Sequence, residues 1–224
     1  MQLRLIAAAL LLLSLPVYAQ KKNEEAERVA AATTVMTEIM GASDKAIPSS
    51  VLGKAQGIAV FPSTIKAGFI VGGSRGRGVL SVKSDAGTWS APAFLTLTGG
   101  SFGLQIGGSA TDLVLVIMNQ RGMENLVRNQ FKVGADIGVA AGPVGRDAQA
   151  STDIQMRAQI LSYSRSRGVF AGVTINGSTI RQDQDANERF YGKPYETKQV
   201  VFERLGGAPE PVAAWRATLE KYTR

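Results

Sequence analysis

The chain contains no cysteine and no histidine among its 224 residues, and only 7% of its residues are aromatic. Without cysteine no disulfide can form, so packing alone must hold the fold together. Zinc and copper sites normally use histidine or cysteine ligands, and carboxylates alone suit these metals poorly. We therefore predict no metal site and no cofactor, and a core built from Val, Ile, Leu and Ala.

Two short motifs resemble serine active sites, but each lacks essential partners. Residues 99–103 fit the G-x-S-x-G pattern around Ser101, yet that arrangement needs a histidine to accept the serine proton. Residues 63–66 fit S-x-x-K, but the accompanying S-D-N and K-T-G elements are absent from the sequence. The eighteen acidic residues leave a carboxylate-pair glycosidase open, although no pairing stands out. We predict that the protein is not an enzyme and has no catalytic residues.

The first residues have the layout of a secretory signal peptide. Arg4 supplies a positive charge, Leu5 to Leu15 form an apolar run, and Ala19 offers a small residue for cleavage. The run is shorter than the roughly 20 residues that a membrane-spanning helix needs. We therefore expect residues 1–19 to be removed; a retained anchor is the alternative. The mature protein is then exported, and is periplasmic or associated with the cell envelope.

The charge balance is basic, with 25 Lys and Arg against 18 Asp and Glu and a formal net charge of +7. Such a surplus favours anionic partners, either nucleic acid or anionic lipid headgroups. Because an exported protein meets membranes far more often than nucleic acid, we expect a membrane partner and no nucleic acid. A basic surface that serves only solubility is the alternative.

The hydrophobic pattern predicts helices at both ends of the chain and short strands between them. Asn23 can cap a helix that ends at Gly41, and Pro48 can begin a short second helix. Helical spacing of apolar residues also predicts helices at 123–129, 185–191 and 211–222. Strands are predicted at 57–61, 68–71, 78–82, 93–98, 102–106, 113–118, 131–140, 162–164, 169–175 and 178–181.

These elements predict the architecture of the mature chain. Asn176-Gly177 is the sequence of a tight hairpin turn. The segment 72–78 alternates glycine with Arg75 and Arg77, which predicts a glycine-rich turn whose arginines grip a phosphate, or a solvated basic turn. We predict one α+β domain over residues 20–224. Its curved, mainly antiparallel, glycine-rich sheet is barrel-like or sandwich-like and is flanked by helices at both termini.

Several blocks of the sequence resemble the SYLF domain family, in family order and with family-like spacing from about Val29 to Tyr222. Each block alone is weak, but the set is highly specific. The principal blocks are 55–63 (AQGIAVFPS), 89–94 (WSAPAF), 99–107 (GGSFGLQIG), 111–116 (TDLVLV), 140–146 (AAGPVGR) and 163–172 (YSRSRGVFAG).

The resemblance implies lipid binding. Eukaryotic SYLF domains bind phosphoinositides with help from an N-terminal amphipathic segment, some yeast members bind actin filaments, and bacterial members are exported or lipid-anchored. This chain lacks a cysteine for lipid attachment. We therefore expect non-enzymatic binding of anionic phospholipid at a membrane surface in the cell envelope. The alternative is a structural or protein-interaction module of the envelope with a basic surface.

The candidate lipid-binding residues are basic side chains of the early part of the domain. They are Lys54, Lys66, Arg75 and Arg77. We also expect the helix from Glu24 to Met40 to lend apolar surface to the membrane, since its apolar residues recur at helical spacing.

Overall fold

The computed structural model describes residues 15–42, 46–67, 73–99, 110–128, 130–145, 158–166, 169–203 and 210–224. The predicted strands at 68–71 and 102–106 lie outside these ranges, as does Ser101. The described helices are α1 (Leu15–Gly41), α2 (Ser49–Leu52), α3 (Gln120–Leu126), α4 (Gln184–Tyr191), α5 (Thr197–Phe202) and α6 (Glu210–Tyr222). The described strands are β1 (Gly57–Ala67), β2 (Gly73–Val82), β3 (Ala93–Gly99), β4 (Thr111–Ile117), β5 (Gln130–Lys132), β6 (Val139–Ala141), β7 (Ile160–Ser166), β8 (Val169–Gly172) and β9 (Ser178–Gln182).

The nine strands form one sheet that curls into a half-barrel in the order β5-β9-β3-β2-β1-β4-β7-β6, with β8 also paired to β7. Every pairing is antiparallel except that of β6 with β7. The predicted α+β class, the curved sheet and the terminal helices are thus confirmed, in the barrel-like form.

Helices α1, α4 and α6 pack on one side of the sheet, which we call the helical face. Glu38 of α1 reaches Arg165 of β7, Asn187 of α4 accepts a hydrogen bond from Phe94 of β3, and Trp215 of α6 donates one to Ser81 of β2. Side chains alternate between the two faces along a strand. Strands β1 and β4 are buried on both faces, as their continuous apolar sequence indicates.

Helix α1 differs from its prediction in two respects. It begins at Leu15, so Asn23 lies inside the helix and does not cap it. Its apolar residues are packed in the core, with Val29, Met36 and Ile39 no more than 2% exposed. The expectation that this helix lends apolar surface to a membrane therefore does not hold for the folded chain, because that surface is already covered. Among the described residues, no helix is both long enough and apolar enough to cross a membrane.

Two local predictions were wrong because distant contacts decide the structure there, and one helix was missed. The predicted single strand 131–140 is interrupted by a turn, where Gly134 adopts a φ of +88° that favours glycine, and only its ends pair as β5 and β6. Asn176-Gly177 does turn the chain, but it makes no hairpin, since β8 pairs with β7 while β9 pairs with β3 and β5. Helix α5 was not predicted at all.

Candidate functional site

Arg75 and Arg77 lie in strand β2, not in the glycine-rich turn that the sequence suggested. Both side chains are exposed, and as alternate residues they project from the same face of the strand. At about 3.3 Å per residue, their Cα atoms lie roughly 7 Å apart. Val79 and Ser81 project from the same face of β2 as the arginines, and Ser81 accepts a hydrogen bond from Trp215 of α6. The two arginines therefore stand on the helical face of the sheet.

Gly76, which lies between the two arginines, and Gly78, which follows them, are explained by packing against β1. A Cβ atom on Gly76 would lie 2.5 Å from the Thr64 hydroxyl oxygen, and one on Gly78 would lie 2.5 Å from the Phe61 ring. These separations are far below van der Waals contact, so a side chain at either position would displace its neighbour. The glycines thus serve the fold, and no phosphate needs to approach the backbone to account for them.

The register of the sheet brings two further cations to this face that sequence reasoning missed. Arg77 pairs with Thr96 of β3, and Thr96 pairs with Arg181 of β9. Two residues along the strands, Arg75 pairs with Thr98 of β3, and Thr98 pairs with Thr179 of β9. Thr179 in turn pairs with Lys132 of β5. Directly opposed residues of antiparallel strands share a face. We name this set the basic row: Arg75, Arg77, Arg181 and Lys132.

All four cations of the basic row are exposed, and threonines lie between them. With strands about 4.8 Å apart, Arg77 and Arg181 are separated by roughly 10 Å and Arg75 and Lys132 by roughly 14 Å. A guanidinium can bind a phosphate with two parallel hydrogen bonds, and a threonine hydroxyl can add another. The arrangement suits several anionic headgroups in a plane better than one deeply held ligand.

Glu24 of α1 limits the basic row on one side. One of its carboxylate oxygens lies 3.4 Å from a guanidinium nitrogen of Arg77, and the two side chains are 48% and 55% exposed. Exposed pairs of this kind contribute at most about 1 kcal/mol and weaken with salt. Arg77 can therefore exchange Glu24 for a headgroup at little cost.

Beside this pair, charged residues are buried between α1 and α4. Arg28 hydrogen-bonds Asp183 at 3.2 Å, and its guanidinium lies 5.1 Å from the centre of the Phe94 ring. Burial lowers the pKa of Arg28, although the nearby Asp183 opposes the shift. Glu25 is fully buried and accepts two hydrogen bonds from Arg189. These contacts fix α1 where Glu24 meets Arg77.

The structure separates the four candidates that the sequence suggested. Arg75 and Arg77 stand together, whereas Lys54 is exposed in the turn after α2, next to the start of β1. Arg75 pairs with Ile65 near the other end of β1, eight residues from Gly57 and so roughly 26 Å away. The backbone of Lys66 pairs with Ser74, while its side chain lies outside what the structure describes.

Within the described ranges, no three acidic side chains come close enough to hold a metal ion. Ser63 of the S-x-x-K motif is exposed with a φ of 48°, and its N–H donates to Asp112 at 2.9 Å. That contact bridges β1 and β4, which gives the residue a structural role at the irregularity in β1.

The order of the sequence blocks within this single α+β domain is that of a SYLF-type domain. The model of the Ysc84 family, described as "Las17-binding protein actin regulator", matches residues 98–222, which is more than half of the chain. The chain therefore belongs to the Ysc84 family, also known by its SYLF domain, as the resemblance implied.

Curated relatives match over most of the chain. It is 33% identical to "SH3 domain-containing YSC84-like protein 1" of Rattus norvegicus over 195 residues, which cover 86% of this chain and 56% of the relative. It is 32% identical to "LAS seventeen-binding protein 3" of Saccharomyces cerevisiae over 193 residues, covering 85% of this chain and 42% of the relative. The chain thus spans about half the length of these relatives or less.

Proposed function

We propose that the protein is a non-enzymatic module that binds anionic phospholipid at a membrane surface of the cell envelope, with the basic row as its headgroup-binding face. The observation that carries this proposal is that four exposed cations from strands β2, β9 and β5 lie on one face of the sheet. Each cation near an anionic membrane contributes on the order of 1 kcal/mol. Membership of the family suggests a lipid-binding role or a role related to actin patches, so it is compatible with this proposal.

The mechanism is electrostatic adsorption of a preformed surface. The sheet fixes the backbone positions of the cations before binding, so only their side chains have to order when headgroups bind. The apolar side of α1 stays in the core, so binding does not need a helix to insert. The excess of positive charge on the whole chain adds long-range attraction to an anionic membrane.

A second function, binding to a protein partner, is favoured by the names of the relatives. Both the family description and the yeast relative are named for binding Las17. The same basic row is suited to acidic side chains, because a carboxylate matches a guanidinium as well as a phosphate does.

Co-sedimentation with vesicles distinguishes these functions. Residues 20–224 are incubated with phosphatidylcholine vesicles that contain or lack phosphatidylglycerol, at low and high salt. Lipid binding predicts sedimentation only with the anionic vesicles and its loss at 1 M salt, where charges are screened within about 3 Å. Equal sedimentation with both vesicles, or none with either, contradicts the proposal and leaves the protein partner.

A further inference from the structure

A concave surface, separate from the basic row, lies at the opposite end of β2. It is an open cleft of about 870 Å³ between the β2–β3 connection and helices α3, α5 and α6. Its position next to Lys83 places it eight residues along the strand from Arg75, or roughly 26 Å. Ligand-binding clefts typically measure about 300–1,000 Å³. The cleft is therefore large enough for several side chains, and it is separate from the proposed lipid site.

The floor of the cleft is apolar and its edge carries an exposed aromatic ring. Val82, Trp89, Met123 and Val201 line the cleft and are at most 5% exposed. Phe202 also lines it and is 49% exposed, although it is large and apolar. Burying such a ring against a partner is favourable by about 25 cal/mol per Å² of apolar surface. An apolar side chain of a partner can therefore pack against both the buried apolar residues and the exposed Phe202 ring.

The charge of the lining is opposite to that of the chain. Asp85, Glu124 and Glu220 line the cleft, and none of them forms an ion pair with another described residue. Two basic residues, Lys83 and Arg216, also line the cleft, so three acids against two bases leave a formal lining charge of −1; Lys83 donates to the backbone carbonyl of Thr223 at 3.1 Å. A net acidic lining on a chain of charge +7 favours a cationic ligand and disfavours anionic lipid.

Arg216 adds an unused hydrogen-bond donor. It lines the cleft, and its Nε atom is buried without a hydrogen-bond partner among the described residues. A buried donor left unpaired costs about 1–3 kcal/mol, so a rotation of the Arg216 side chain that brings Nε to an acceptor in the cleft is favourable. The carbonyl oxygens of a peptide backbone provide such acceptors beside basic side chains.

We propose that this cleft binds a peptide segment of a partner protein in which a basic side chain stands next to an apolar one. The apolar side chain packs between Phe202 and the floor, and the basic side chain meets Glu124 and Glu220. A backbone carbonyl of the peptide accepts from Arg216. The domain then binds a membrane with one end of its sheet and a protein with the other.

The test measures fluorescence anisotropy of dye-labelled peptides with the full mature chain, residues 20–224. The probes are Lys-Leu-Lys-Phe and the matched Gln-Leu-Gln-Phe and Glu-Leu-Glu-Phe, each acetylated and amidated. The basic peptide is expected to bind most tightly and the acidic one least. Glu124→Gln with Glu220→Gln should weaken the basic peptide about fivefold to twentyfold, as two partly exposed ion pairs would.

Phe202→Ala should weaken the basic and neutral peptides alike, while Glu188→Gln, an exposed acid of α4 outside the cleft, should weaken neither. The proposal is overturned if the acidic peptide binds as well as the basic one, or if the cleft variants, folded by circular dichroism, bind like the unmodified chain. It is also overturned if Phe202→Ala abolishes sedimentation with anionic vesicles, since the cleft would then be a lipid site. Failure here leaves the basic row untouched, because Arg75 and Arg181 do not line the cleft.

Discussion

Glu25 of α1 is fully buried and accepts two hydrogen bonds from the guanidinium of Arg189 in α4, at 2.8 and 3.1 Å. Both bonds go to one carboxylate oxygen, and the other oxygen has no hydrogen-bond partner among the described residues. The hydrogen bond to Glu25 raises the pKa of the Arg189 guanidinium above its ordinary value. This contact joins the N-terminal half of α1 to the helix that follows β9.

Arg189→Met should therefore destabilise the fold. The change leaves the buried charge of Glu25 with only Arg28, 3.7 Å away, which is too little compensation. Loss of one partner from a buried pair costs about 3–5 kcal/mol. Urea unfolding should show a drop near 3 kcal/mol, whereas exposed Arg181→Met should change stability by less than about 0.5 kcal/mol. Equal, small effects would mean that the Glu25–Arg189 contact does not stabilise the fold.

Gly78→Ala should destabilise the sheet. The added Cβ would lie 2.5 Å from the Phe61 ring and 2.6 Å from the Val60 carbonyl oxygen, and backbone cannot move aside cheaply. Overpacking of this kind costs about 1–3 kcal/mol. Gly41→Ala is the matched control, since a Cβ there meets nothing within 4 Å. Thermal unfolding compares the two; an unchanged melting temperature for Gly78→Ala would contradict the close packing of β1 and β2.

Tyr163, which is buried, and Tyr191, which is partly buried, should differ in their response to loss of the hydroxyl group. Tyr191 donates to the Pro92 carbonyl oxygen at 2.6 Å, so Tyr191→Phe should cost about 1 kcal/mol. The Tyr163 hydroxyl is buried without a partner among the described residues, so Tyr163→Phe should leave stability unchanged or raise it. Urea unfolding of both variants measures this. A loss for Tyr163→Phe as large as for Tyr191→Phe would reveal a partner for Tyr163.

The same tyrosines predict an alkaline limit to stability. Burial raises the pKa of both Tyr163 and Tyr191 well above the ordinary value of 10.0. A group whose pKa is raised by folding contributes stability that is complete below its unfolded pKa and declines above it. The free energy of unfolding should fall above about pH 10, and both tyrosines should ionise only on unfolding, seen by absorbance at 295 nm. Ionisation of all four tyrosines of residues 20–224 in the folded state would contradict this.

Much of the fold could be predicted because local patterns and tertiary contacts agree there. Strand β4 was found from its continuous apolar run and α6 from its helical spacing, and both are buried as those patterns require. The segment 73–78 was mistaken for a turn because glycine usually weakens a strand. Here Thr64 and Phe61 on the neighbouring strand occupy the space that side chains would need. No local pattern carries that information.

Sequence reasoning identified only two of the four cations of the basic row. Arg75 and Arg77 were singled out because they are neighbours in a distinctive motif. Arg181 and Lys132 stand more than fifty residues away in unremarkable surroundings, and only the register of β3, β9 and β5 places them on the same face. Lys54 was included for its charge and its nearness in sequence, yet it lies at the opposite end of β1. Strand order is a long-range property, and it decides which cations act together.

The central claim is that cations from separate strands form one lipid-binding face, and a matched pair of variants tests it. Arg75→Gln with Arg181→Gln removes two charges from the basic row. Lys54→Gln with Lys198→Gln removes two exposed charges elsewhere. All four positions are exposed, so the fold should survive in each variant, as circular dichroism can check.

The measurement is the dissociation constant for phosphatidylglycerol-containing vesicles at about 0.1 M salt. At about 1 kcal/mol per cation, Arg75→Gln with Arg181→Gln should weaken binding roughly tenfold to thirtyfold. The control pair should weaken it only about twofold or less, because charges far from the membrane are screened beyond a Debye length of about 10 Å. Equal weakening by the two pairs would mean that net charge alone attracts the protein, and would contradict the basic row as the binding face.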